Sequence, residues 1–194
     1  MGPDRAWAWT PFSAILAIWG AWMLSWLVAA VWTGQTAARP VVGSQVLYRL
    51  TVLGGAILLF DRFDLDGASR LWRSPSPLGW AMVALTAGGF ICCWWARLYL
   101  GRLWSSAVTL KDGHRVVDTG PYALVRHPIY TGILIAAAAT AVDQGTAISL
   151  VGLALMTLGY WTKARLEESF LREELGGESY DAYARRTGML LPFL

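Results

Sequence analysis

The stretch "GPYALVRHPIYTGILIAAAATAVDQG", Gly120 to Gly145, joins two unlike halves. The first holds an arginine, a histidine and two tyrosines: Arg126, His127, Tyr122 and Tyr130. The second is small and apolar and ends on Asp143-Gln144-Gly145, a tight-turn sequence. Another apolar run follows from Thr146 to about Thr162. Two short apolar runs around a tight turn predict a helical hairpin. A hairpin returns its ends to one surface, so Arg126–Tyr130 should meet Lys163–Glu168. Gly120-Pro121 forces a turn upstream, and Pro128 suits the first turn of a helix, placing Tyr130 there. Gly132 leaves room for a ligand or a neighbouring helix. The plain alternative is a capped helix with interfacial Arg and Tyr.

The chain as a whole is strongly apolar. Of 194 residues, 56% are hydrophobic and 15% charged, against about 25% charged in soluble domains. Twelve tryptophans exceed an ordinary core, whereas membrane proteins gather Trp at both interfaces. The expectation is an all-α polytopic membrane protein with five transmembrane helices and a C-terminal cytoplasmic helical cap. The spans are Pro11–Thr33, Val46–Phe60, Leu78–Ala96, Ile129–Val142 and Thr146–Thr162. The whole of 1–194 reads as one domain, with the first three spans in 1–96 and the cofactor-binding and catalytic half in 97–194. Trp19, Trp22 and Trp26 share one helix face, towards lipid or a partner helix. Arg49 lies near a span end, where it can snorkel to the headgroups. Cys92 and Cys93 are adjacent in an apolar run, which suggests packing rather than a bridge or a metal site. Pro11–Thr33 is too long for a signal h-region, so no cleavable leader is expected.

Charge sets the expected orientation. Counted over five spans, one side holds twelve Lys or Arg and the other four. The positive-inside rule then places the N-terminus outside and the C-terminus in the cytoplasm, in a cell inner membrane. The net charge of +3 is spread near membrane ends among acids, so membrane lipid headgroups, not nucleic acid, are the expected partner.

Several chemistries have no motif here. GxGxxG, Walker A, G-x-S-x-G and HExxH are absent, and His114 and His127 are the only histidines, so no metal site is expected. Glu167 and Glu168 are neighbours on a helix and point about 100° apart, so they need not do one job. One can face a ligand while the other meets water, Arg165 or Arg172. What remains is a cavity of Arg, His, Tyr and Glu at a membrane surface. It suits a polar cofactor meeting an apolar substrate.

The C-terminal half resembles the isoprenylcysteine carboxyl methyltransferase family and its phospholipid-methylating relatives. The matching text is "LGRLWS" (Leu100–Ser105), "GHRVVDTGPYALVRHPIYTG" (Gly113–Gly132), Glu167-Glu168 and "LGGESYDAYARR" (Leu175–Arg186). The resemblance implies an S-adenosyl-L-methionine-dependent methyltransferase acting on a lipophilic small molecule or lipid that enters from the bilayer. It implies cofactor contacts from His114, Gly120, Tyr122, Arg126, His127, Tyr130 and Glu167, and catalytic roles for Arg165, Glu168 and Arg186. Either arginine would hold a substrate carboxylate. The tail "RRTGMLLPFL" departs from the family, where Val-Pro usually follows the arginine.

The favoured acceptor is the carboxylate of an isoprenylcysteine-like molecule. The alternatives are a phospholipid or small-amine N-methyltransferase, a nicotinamide-dependent enzyme like the sterol reductases, and a non-enzymatic membrane scaffold.

Overall fold

The computed structural model describes residues 9–33, 36–38, 42–61, 69–105, 110–111, 117–175 and 177–192. Six helices account for most of it: α1 (Pro11–Ala29), α2 (Val42–Leu59), α3 (Ser76–Leu100), α4 (Pro128–Gln144), α5 (Ala147–Leu175) and α6 (Gly177–Ala184). Short 3-10 turns cover Gly101–Leu103 and Gly120–Ala123. Two short strands, β1 (Thr36–Ala38) and β2 (Leu110–Lys111), pair antiparallel as a small ribbon.

Local chemistry accounts for the helix ends. Thr10 caps α1: its hydroxyl accepts from the Ser13 backbone N–H at 3.1 Å, and Ser13 Oγ accepts in turn from the Thr10 N–H at 2.9 Å. Pro128 opens α4, as its fixed φ and missing donor favour. Gly145 closes α4 in the left-handed region at φ 64°, and its N–H bonds the Ala141 carbonyl. The chain then reverses directly into α5, so the hairpin forms as its sequence indicates.

The helices associate in pairs, α2 along α5 and α3 along α4, with α1 against α3. Close approach of α3 and α4 depends on Gly89 and Gly132, where a Cβ on either would strike the other's carbonyl oxygen. Cys93 Sγ fits the same seam, 3.3 Å from the Ile129 carbonyl, while Cys92 lies beside it; neither cysteine is in a disulfide. The tryptophan face of α1 turns inward. Trp19 and Trp22 pack on Phe90, Trp26 on Trp94 and Trp104, and Trp19 Nε1 donates to Thr140 Oγ1 at 3.0 Å. A partner-helix role, rather than a lipid-facing one, is thus decided for this face.

The chain is an integral membrane protein, but the count of five spans is corrected to three. Among the described residues only α1, α3 with its 3-10 extension (Ser76–Leu103) and the stretch Ala147–Glu174 of α5 are long and apolar enough to cross. A crossing needs about 20 residues, and α4 has 17. Its apolarity has another cause: Ile133, Ala136, Ala137, Ala139 and Ala141 are all buried inside the protein. A short apolar run of that kind is a core helix. The apolar part of α2 is shorter still, Gln45–Leu59, and contains Gln45 and Arg49.

Candidate active site

The residues that open α4 and those near the end of α5 meet. Arg126 Nε donates to Glu168 Oε1 at 2.6 Å, and His127 Nε2 lies 3.2 Å from the same oxygen. Tyr130 OH donates to Glu167 Oε2 at 2.6 Å, and His127 Nδ1 is 3.9 Å from that oxygen. The His127 and Tyr130 rings stack, 5.1 Å apart and 4° from parallel. One imidazole therefore sits between two adjacent carboxylates.

Helical periodicity separates those carboxylates. Tyr160, Lys163 and Glu167 recur at i, i+3 and i+7 and share one face of α5. On it, Tyr160 packs against Tyr130 with centroids 5.2 Å apart, and Lys163 Nζ lies 4.9 Å from the Tyr130 ring. Trp161, Arg165 and Glu168 recur at i, i+4 and i+7 on the adjacent face. Leu150, Leu153, Ala154, Thr157, Leu158 and Trp161 continue that face and, with Leu190, line an apolar groove of about 550 Å³. The guanidinium of Arg165 lies 5.8 Å from the ring of Trp161, one of the groove residues.

The segment after α6 straps across the cluster. Backbone bonds run from Arg126 N–H to Gly188 O at 2.9 Å and from His127 N–H to Met189 O at 3.1 Å. Thr131 Oγ1 donates to Leu190 O at 2.7 Å. Arg126 Nη1 adds the carbonyls of Ala184, at 3.0 Å, and Thr187. Arg126 thus ties Glu168 to the strap. Tyr183 OH donates to the Tyr122 carbonyl at 2.8 Å. Burial pushes the Tyr122, Tyr180 and Tyr183 phenols up, so all three stay neutral.

The residues singled out in the sequence do not all converge. Arg126, His127, Tyr130, Glu167 and Glu168 form the cluster. Tyr122 is buried, its OH donating to the Ala96 carbonyl at 3.4 Å. Gly120 has φ 58° and sits against the Tyr99 ring, which leaves no space for a side chain. Arg165 is exposed beside the groove, and Arg186 is exposed and reaches Asp118 at 3.3 Å. His114 lies outside the described residues. Among the described residues no group of three or more potential metal ligands occurs. Tyr160, Thr131 and the strap carbonyls escaped the sequence reading, and Lys163 entered it only as the start of the Lys163–Glu168 stretch, with no role of its own. Lys163 carried a signal, four residues before Glu167 on one face; the backbone carbonyls carried none.

The set suits a cationic ligand. Glu167 is 31% exposed, so its carboxylate is reachable, and it lies beside Tyr130 and His127. Residues 70–173 match the isoprenylcysteine carboxyl methyltransferase (ICMT) family. A probable protein-S-isoprenylcysteine O-methyltransferase of Oryza sativa subsp. indica is 33% identical over 84 residues, 43% of this chain and 44% of that protein. The cobalt-zinc-cadmium resistance protein CzcN of Cupriavidus metallidurans is 32% identical over 144 residues, 72% of this chain and 58% of the relative. A methanethiol S-methyltransferase of a Pseudomonas species is 45% identical over 71 residues, 37% and 26% of the two chains. The chain spans less than half the length of the rice relative it matches. The match over 70–173 takes in both arms of the hairpin and both glutamates, and the chain belongs to the isoprenylcysteine carboxyl methyltransferase family.

Proposed function

We propose that the protein is an S-adenosyl-L-methionine-dependent methyltransferase of the membrane, acting on the carboxylate of a lipophilic, isoprenylcysteine-like acceptor. The observation that carries this is the arrangement on α5: the Tyr130–Glu167 pair on one face and, on the next, an apolar groove whose Trp161 lies 5.8 Å from the Arg165 guanidinium. When bound, the cofactor supplies an electrophilic methyl group on a sulfonium. Glu167, Tyr130 and His127 would hold it, since a carboxylate beside aromatic faces suits a positive ligand. Arg165 would orient the acceptor carboxylate while the groove takes its apolar tail. A carboxylate is already a nucleophile at neutral pH, so no general base is needed, and alignment is the main task of the protein.

In this reading Glu168 is a positioning residue. Its bonded oxygen is taken by Arg126 and His127, and the pair is nearly buried. Arg186, paired with Asp118 at the surface, helps hold α6 to the turn near Gly120. The N-terminus faces outside and the site faces the cytoplasm of a cell inner membrane.

The test is transfer of labelled methyl from S-adenosyl-L-methionine to prenylcysteine analogues, to membrane lipids and to methanethiol. A methyl ester releases methanol in base, which is the expected result. A second reading, methylation of a small thiol, is favoured by the identity to the Pseudomonas methanethiol enzyme. An S-methyl or N-methyl product would survive base and replace the carboxyl reading. No transfer to any acceptor would remove the enzymatic one.

A further inference from the structure

Helix α2 lies before the residues that match the family, yet it reaches the Glu167 side of the site. Gln45 and Tyr48 are buried, each 4% exposed. Gln45 Oε1 accepts from both Tyr48 OH, at 3.2 Å, and Arg49 Nη2, at 2.9 Å. The Arg49 guanidinium is 5.9 Å from the Tyr48 ring, and Lys163 Nζ is 5.5 Å from the same ring. Lys163 is also beside Tyr130, whose hydroxyl holds Glu167. Arg49 and Lys163 thus both border the Tyr48 ring, and Lys163 also borders the Tyr130 ring beside Glu167.

Two cations about one ring repel each other at the edge of a low-dielectric region. Among the described residues Arg49 has no ion pair. Among the described residues Glu167 is the acid beside Lys163, and Tyr130 already holds one of its oxygens. An added anion between Arg49 and Lys163 would relieve the repulsion. An α-amino acid carries such an anion with an ammonium on the adjoining carbon. Its head group therefore needs an anion seat and a cation seat side by side.

We propose that Arg49 and Lys163 seat the α-carboxylate of the methionine end of the cofactor, while Glu167 faces the neighbouring α-ammonium. This rests on the methyltransferase reading above. Gln45 and Tyr48 are then positioning residues, the amide oxygen holding Arg49 in place. The seat lies on a different face of α5 from the groove, so the two ligands would approach the junction from separate sides. It also gives α2, outside the matched region, a share in the cofactor site.

The experiment measures equilibrium binding of S-adenosyl-L-methionine and of its decarboxylated analogue to the full chain in lipid nanodiscs. The wild type should bind the carboxylated form more tightly. In Arg49→Gln, affinity for the carboxylated form should fall about tenfold, as expected for loss of a charge-assisted bond, with the analogue changed by less than about twofold. Lys163→Gln should behave alike, and Arg49→Lys should recover part of the loss. Retained binding of the analogue shows that each variant is folded. Arg49 is exposed, so Arg49→Gln disturbs the packing least and is the deciding variant. An unchanged ratio in Arg49→Gln would overturn the seat and leave the methyltransferase reading intact. Equal affinity of the wild type for both ligands would do the same. Binding of neither ligand by the wild type would remove both.

Discussion

Glu167 and Glu168 are chemically identical neighbours on one helix, yet they occupy opposite kinds of surroundings. Glu168 is nearly buried, and one of its oxygens accepts from Arg126 and His127, which bind the strap through Ala184, Thr187, Gly188 and Met189. Glu167 is a third exposed and meets one phenol, with aromatic rings and Lys163 around it. In the first, one oxygen is shared by two donors in a nearly buried setting; the second is more open to a ligand. A helical step of about 100° is enough to separate a structural carboxylate from a binding one. Residue type therefore says little about role here, and the facing elements decide it.

Substitutions can break that contrast. The largest effect should come from Glu168→Ala, which leaves Arg126 partly buried without its counter-charge. Removal of one partner of such a pair costs roughly 3–5 kcal/mol, and the loss should appear as a lower unfolding midpoint in detergent together with faster proteolysis of the strap. Glu167→Gln should do the reverse. It should leave the midpoint nearly unchanged but weaken cofactor binding by roughly 10- to 100-fold, the range for a lost hydrogen bond to a charged group, as read by equilibrium dialysis. Equal thermal losses in the two variants would erase the distinction.

Tyr130→Phe sharpens the comparison further. It keeps the ring that stacks on His127 and removes only the hydroxyl on Glu167. Stability should fall by about 1 kcal/mol, and cofactor affinity by less than in Glu167→Gln. The smallest effect belongs to Arg186→Gln. Its bond to Asp118 is exposed on both sides, so the cost should lie within about 1 kcal/mol and vanish in high salt. A large loss of methyl transfer with the fold intact would give Arg186 a direct role in the reaction.

The hairpin was readable because its signals are local. Pro128 starts a helix, Asp143-Gln144-Gly145 ends one, and a reversal brings the two polar ends together whatever the rest of the chain does. The membrane count was not readable in the same way. Apolar residues from Ile129 to Val142 look alike whether they face lipid or protein, and here α3 covers them, so the expected five crossings become three. The tryptophans of α1 posed the same ambiguity, and contact with Phe90, Trp94 and Trp104 resolved it.

Composition, the proline and glycine punctuation and the spacing of Arg126, His127, Tyr130 and the two glutamates determined by themselves a helical membrane protein with a polar cluster at the ends of a hairpin. Those features depend on hydropathy and on dihedral preferences, which act over a few residues. Which carboxylate is locked, that Arg165 stands by a groove, that Tyr122 turns into the core and that α2 brings Arg49 towards Lys163 were decided only by tertiary structure. Each is a contact between segments far apart in the chain, set by how the helices pack and by backbone carbonyls that every residue carries alike.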